Sequence, residues 1–251
     1  MDPLALRVLT IVIVIFIFAI YFILQNAKKI SSFLLFFIAL ALTIWKIETF
    51  INSAIKGYQI YPVEFSHITY FVVGFAVLFG IKRLYFFAGV SAFYSGFFYF
   101  CSTIIDPKAM IENTTLGILR DGIISHSLLL FISLFMLFST ILFKKRDIFI
   151  SIIGFFIIII YVHLVNIKVI FPDANTSTFI TTKLVDGTAL SYLTGKSENS
   201  GVLKVLFTIS VYLFINLATL PIFLLNRYIR KNKMDNFSVG LIPFIKYFNE
   251  Y

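Results

Sequence analysis

The sequence predicts an all-α fold, a polytopic membrane helical bundle with about seven transmembrane helices. First, 60% of the 251 residues are hydrophobic and 13% are charged, with a mean hydropathy of +0.97, which is far from the composition of soluble domains. Second, several apolar runs approach or exceed the roughly 18 residues that span a bilayer. Third, many basic residues fall in very short segments between those runs, a pattern that orients polytopic proteins.

The predicted helices cover, in chain order, residues 8–24, 30–45, 60–80, 84–105, 122–143, 148–170 and 205–225. The first is interpreted as a retained helix, because it is long and lacks the small-residue cleavage site of a secretion signal. The second is the shortest, with the alternative that it continues through Lys46 and Glu48 towards Ile55. Residues 1–225 form the predicted transmembrane domain, and residues 226–251 form a short basic cytoplasmic tail.

The net charge of +9 is assigned to membrane topology rather than to nucleic-acid binding. If the N-terminus lies outside, more than half of the 21 basic residues fall in inner segments, mostly in very short loops. The sequence therefore predicts a multi-pass cell-membrane protein with an outer N-terminus and a cytoplasmic C-terminus. Membrane lipids are the predicted partners and nucleic acid is excluded. The excess of Phe, Ile, Tyr, Lys and Asn indicates a bacterial, AT-rich genome.

The predicted outer connections are long and the inner ones are tight. Residues 46–59, 106–121 and 171–204 form the outer connections, so we expect function to face outward. The last of them is interpreted either as a lid over a cavity or as a solvated loop. The single cysteine, Cys101, excludes an internal disulfide and is interpreted as a small apolar filler. No metal-ligand spacing occurs, so neither a metal nor another cofactor is predicted.

All three histidines of the chain, His67, His126 and His163, lie within apolar runs, and a simple topology brings them to similar depth. Ionisable side chains in hydrocarbon are costly, so each is by default a functional-site hypothesis. Three of them in one layer suggest a shared polar pocket in the outer half of the bilayer. Other polar residues of that layer are Glu64, Ser66 and Asn166.

These residues can form a nucleophile and its base. A serine hydroxyl is inert until an imidazole accepts its proton, and by depth either His126 or His163 could serve Ser66. A third group, such as Glu64 or Asn166, would orient the imidazole, as in catalytic triads. Glu64 also shares a helical face with His67. The structural alternative stays open, because Ser and His side chains also join membrane helices through hydrogen bonds.

Three segments resemble the YwaF-type integral membrane proteins. Residues 57–70, GYQIYPVEFSHITY, resemble that family's third-helix motif, with Ser66 where the family has cysteine. Residues 84–90 resemble the start of its fourth helix, and residues 121–127 its fifth-helix histidine motif. The family is related to eukaryotic plasmalogen-forming transmembrane acyltransferases. The resemblance implies an acyl-enzyme mechanism with Ser66 as nucleophile and His126 as base. From their position in the polar layer, Glu64, His67, His163 and Asn166 are predicted to have supporting or orienting roles, although Glu64 and His67 depart from the family's motif.

Three functions remain in competition. The first is a membrane-embedded lipid acyl hydrolase or acyltransferase that uses Ser66 and His126. The second is a small-solute transporter or a substrate-binding membrane subunit, in which the polar layer would coordinate a solute. The third is a non-enzymatic membrane scaffold whose histidines bond between helices.

Overall fold

Apolar helices form all the regular structure in the part of the chain that the computed structural model describes, namely residues 2–57, 64–112, 114–166, 169–170 and 201–230. Six of these helices are long and apolar enough to cross a membrane, and one further apolar helix is shorter. The predicted all-α polytopic bundle is therefore confirmed.

The helices are α1 Pro3–Leu24, α2 Lys28–Ile55, α3 Phe65–Leu78, α4 Tyr85–Ile105, α5 Pro107–Glu112, α6 Leu116–Phe135, α7 Lys145–Asn166 and α8 Gly201–Arg230. A 3₁₀ turn, Lys82–Leu84, leads into α4, and a π-helical turn, Met136–Thr140, extends α6. The short α5 lies in a connection that was predicted as a loop.

Several of these helices extend beyond the apolar runs that predict them, and α2 and α6 show the physical reason. Helix α2 agrees with the longer of the two predictions and continues to Ile55. The Thr49 and Ser53 hydroxyls donate to carbonyls four residues earlier, so these polar groups are satisfied inside the helix. Helix α6 begins at Leu116, whereas the corresponding predicted helix begins at residue 122. The Thr115 hydroxyl accepts a hydrogen bond from the Ile118 amide and so caps the first turn of α6.

The last helix passes the predicted domain boundary at residue 225. It continues to Arg230, and the side chains of Asn226 and Arg230 are buried in the bundle. The predicted tail from residue 231, the predicted 171–204 connection as far as residue 200, and the start of the predicted third helix at residues 60–63 lie outside the described residues.

The centre of the bundle is α4, which packs against α1, α3, α6 and α7. Its contact with α6 is especially close at Gly96, where an added Cβ would lie 2.8 Å from the Leu130 Cβ and 2.9 Å from the His126 carbonyl oxygen. Small residues let membrane helices approach to backbone contact in this way. The register of α6 against α4 is therefore tightly constrained at the turn that carries His126.

Polar side chains secure both ends of the bundle. At one end the Arg7 Nε donates to the Ile104 carbonyl at 2.8 Å, where the helical hydrogen bonds of α4 run out. At the other end Asn226 accepts from the Phe143 amide at 3.1 Å and donates to the Ile141 carbonyl at 3.1 Å. Arg230 donates to the Ser139 carbonyl at 2.9 Å. The helix is interrupted after the π-helical turn, and side chains of α8 bond to the backbone groups that this interruption leaves unpaired.

Gly96→Ala should lower stability by about 1–3 kcal/mol, because the new methyl group meets the backbone of α6, which cannot rotate away. The measurement is the thermal unfolding midpoint of the purified protein in detergent. Gly117→Ala is the matched control, since an added Cβ at Gly117 in α6 meets nothing within 4 Å. Equal midpoints for the two variants would contradict the close approach of α4 and α6.

Candidate functional site

A cavity of about 380 Å³ opens at the end of the bundle where α2 ends and α3 and α6 begin. Four of the predicted site residues line it: Glu64, Ser66, His67 and His126. They come from two segments of the chain that are about sixty residues apart. The remaining wall is formed by Trp45, Lys46, Thr49, Tyr70, Tyr99, Met110, Thr114, Ile118, Leu119, Asp121, Gly122 and Ser125.

His126 is held in one orientation from three sides. Its Nδ1 lies 2.8 Å from the Gly122 carbonyl oxygen, one turn earlier in α6. Its ring stacks on Tyr99 with centroids 4.0 Å apart and planes within 11°, and it meets Tyr70 edge-on at 6.4 Å. A carbonyl can only accept, so Nδ1 carries the proton, and Nε2 of the neutral ring keeps a free lone pair. That is the form in which an imidazole acts as a base.

Gly122 makes this arrangement possible. An added Cβ at this position would lie 2.5 Å from the Tyr99 hydroxyl oxygen and 3.0 Å from the adjoining ring carbon. Glycine leaves the space that Tyr99 fills, and the Tyr99 hydroxyl donates to the Leu119 carbonyl at 3.3 Å. The ring of Tyr99 is thereby held parallel to the imidazole ring of His126.

The start of α3 contributes the other predicted residues. Glu64 occupies the position just before the helix, and Ser66 and His67 lie in its first turn. The His67 ring packs edge-on against Phe50 of α2, with centroids 5.4 Å apart. Its buried Nδ1 has no hydrogen-bond partner among the described residues. An unpaired buried nitrogen is costly, and the packing of His67 against Phe50 leaves one polar atom of this wall unsatisfied among the described residues.

Ser66, His67 and His126 line the same cavity, but hydrogen bonds among the described residues do not connect Ser66 to the two histidines. Within the part of the chain described, no hydrogen bond connects the Ser66 hydroxyl to His67 or His126. Catalytic hydrogen bonds commonly tighten only when substrate is bound. The structure thus places the predicted nucleophile and an oriented imidazole in the wall of one cavity.

Of the other two predicted supporting residues, His163 lies away from this cluster, and the side chain of Asn166 is outside the described part of the structure. His163 is exposed on α7, and no residue of that helix lines the cavity. Asn166 ends α7, and its side chain lies outside the described residues. Cys101 is half-buried on α4 and also lies away from the cavity wall.

Sequence reasoning missed Lys46 as a site residue. Its Nζ lies 4.5 Å from the centroid of the Tyr70 ring and 5.1 Å from that of Trp45, which are cation–π distances. Asp121 lines the same wall and pairs with Arg120 at 3.0 Å. The sequence did contain an indication of this role. If the second helix continues past residue 45, as one of its two predictions has it, Lys46 lies within a helix of the bundle and not in a loop.

Among the described residues no group of three His, Cys, Asp or Glu side chains could hold a metal ion. The site offers imidazole, hydroxyl, carboxylate and ammonium groups, which suit acid–base and nucleophilic chemistry.

No protein family, curated protein or solved structure matches this chain. The resemblance to the YwaF-type proteins therefore stays a prediction.

His126 should be the Nδ1–H tautomer when neutral, because the Gly122 carbonyl accepts from that nitrogen. ¹⁵N spectra of histidine-labelled protein, recorded above the ordinary titration range of histidine, should contain a signal pair with a protonated Nδ1 and a bare Nε2. His126→Asn should remove that pair, and His163→Asn should leave it in place. A His126 signal with the proton on Nε2 would contradict the assignment.

Proposed function

We propose that this chain is a membrane-embedded acyl hydrolase or acyltransferase that acts on lipid esters. One observation carries the proposal: Ser66 and an oriented His126 from separate helices line the same cavity. A hydroxyl and a neutral imidazole with a free Nε2 are the two groups that acyl transfer through serine requires. The resemblance of residues 57–70 to the YwaF-type motif supports the same assignment.

In the proposed reaction the Ser66 oxygen attacks the ester carbonyl carbon while His126 Nε2 takes the hydroxyl proton. The ester carbon–oxygen bond then breaks, and the imidazolium returns its proton to the departing alcohol. The acyl group stays on Ser66 until a second hydroxyl attacks it, again with His126 Nε2 as base. Water as acceptor completes a hydrolysis, and a lipid hydroxyl completes an acyl transfer.

The Gly122 carbonyl takes the part of the orienting group in this mechanism. It accepts the Nδ1 proton at 2.8 Å and keeps Nε2 directed away from its own helix. Glu64 and His67, on the same wall as Ser66, are proposed as supporting groups that polarise bound water or substrate.

The scaffold alternative receives less support from these contacts. His126 bonds to the Gly122 carbonyl and Ser127 to the Ile123 carbonyl, so both hydrogen bonds stay inside α6. A scaffold would use such groups to bond across helices.

We propose that the cavity opens to the outer leaflet of a bacterial cell membrane, with the N-terminus outside and the C-terminus in the cytoplasm. The connections at the opposite end of the bundle carry Lys28, Lys29, Lys82 and Arg83. Short basic connections favour the cytoplasmic side. A lipid ester would then reach the cavity laterally.

A serine-directed fluorophosphonate should label the protein in membranes, and Ser66→Ala should abolish labelling. His126→Ala should reduce labelling by at least about 100-fold, the usual contribution of a general base. His163→Ala and Ser127→Ala are matched controls that should label normally, because His163 lies outside the cavity wall and Ser127 bonds within its own helix. Undiminished labelling of both site variants would reject the proposal.

A further inference from the structure

Lys46 lines the cavity, and in the described part of the chain no group accepts a hydrogen bond from its ammonium group. The side chain is half-buried, and its Nζ lies over the Tyr70 ring and beside Trp45. Among the described residues none accepts a hydrogen bond from Nζ or forms an ion pair with it within 4.0 Å. Aromatic faces stabilise the charge of an ammonium group but leave its N–H donors free.

The nearby acids do not neutralise Lys46 by direct contact. Asp121 attracts the lysine electrostatically, yet its carboxylate pairs with Arg120 at 3.0 Å. The ammonium group therefore has N–H donors with no protein acceptor among the described residues, in the wall of a cavity of about 380 Å³. At a half-buried position such a charge attracts an anion more strongly than it does at an open surface.

The cavity also continues into polar surroundings. Trp45 and Thr49 line both this cavity and an adjoining trough along the end of α2 that includes Glu48, Asn52 and Lys56. A polar headgroup could enter along that trough while apolar chains stay in the surrounding hydrocarbon. Lys46 lines the cavity with Ser66 and His126, and it follows Trp45, one of the two residues that the cavity and the trough share.

We propose that Lys46 is an anion-binding residue that holds the phosphate group of the cavity's ligand. Lysine is a common phosphate ligand, acting as a compact point charge with freely rotating donors. This inference rests on the proposed function only in naming a phosphate-bearing lipid as the source. A soluble phosphate compound shares the same chemistry and is the other source that the test distinguishes.

The test uses the full-length Ser66→Ala protein in a nonionic detergent, so that binding is measured without turnover. Trp45 is the only tryptophan of the chain and lines the cavity, so its fluorescence reports occupancy directly. Three probes are titrated: dihexanoyl phosphatidic acid, dihexanoylglycerol, which lacks the phosphate, and glycerol 3-phosphate, which lacks the chains.

Dihexanoyl phosphatidic acid should bind more tightly than dihexanoylglycerol, a comparison that needs no change at Lys46. Lys46→Met and Lys46→Gln should each raise its Kd by about tenfold or more, the loss expected for a charge-assisted hydrogen bond. Lys46→Arg should stay within about threefold of the parent, since the charge is kept. Lys82→Met, an exposed lysine at the opposite end of the bundle that lines neither the cavity nor the trough, should leave the Kd unchanged.

Equal affinities for the two dihexanoyl lipids, or an unchanged Kd in the folded Lys46 variants, would overturn the inference. Saturation by glycerol 3-phosphate at the same concentrations as the lipid would support the phosphate site and identify its ligand as soluble. The outcome is independent of the acyl chemistry: Lys46-dependent binding with no fluorophosphonate labelling would retain this site and reject the proposed reaction. Labelling without Lys46-dependent binding would retain the proposed reaction and reject the phosphate site.

Discussion

The backbone contact between α4 and α6 at Gly96 is the constraint on which the rest of the site depends. With only hydrogen on that Cα, the His126 carbonyl and Leu130 approach α4 to distances that no side chain would allow. Tyr99 follows three residues later on α4 and therefore reaches the same turn of α6. Its ring fills the space left open by Gly122 and stacks on His126. The direction of the imidazole is thus a consequence of how two helices pack.

Polar side chains take different parts at the two ends of the bundle. At the end distant from the cavity, Asn226 and Arg230 bond to the backbone around the break after α6, and Asn226 has no exposed surface. At the cavity end, His67 Nδ1 and the Lys46 ammonium group remain without protein acceptors or donors among the described residues. Buried polar groups are normally paired. His67 and Lys46 both line the cavity, whereas the Ser91 and Ser151 hydroxyls, which also lack partners among the described residues, do not.

The sequence predicts the helices and several residues of the cavity wall, but it does not predict which way each helix face points or where each helix ends. Apolar run length and the cost of buried ionisable groups place Ser66, His67 and His126 at one depth. Depth along a helix does not determine direction around it, and α7 is apolar on nearly every face, so nothing in its pattern directs His163 inward or outward. Lys46 was missed because Thr49 and Ser53 prolong α2 through hydrogen bonds that an apolar count does not register.

The account's central claim is that Ser66 and His126 act together across this cavity. The most direct measurement is an experimental structure of the protein after reaction with a fluorophosphonate. We expect phosphorus bonded to the Ser66 oxygen, His126 Nε2 within about 3 Å of an oxygen of the adduct, and Nδ1 still directed at the Gly122 carbonyl. An adduct on another residue, or a His126 ring turned out of the cavity with Ser66 unmodified, would contradict it.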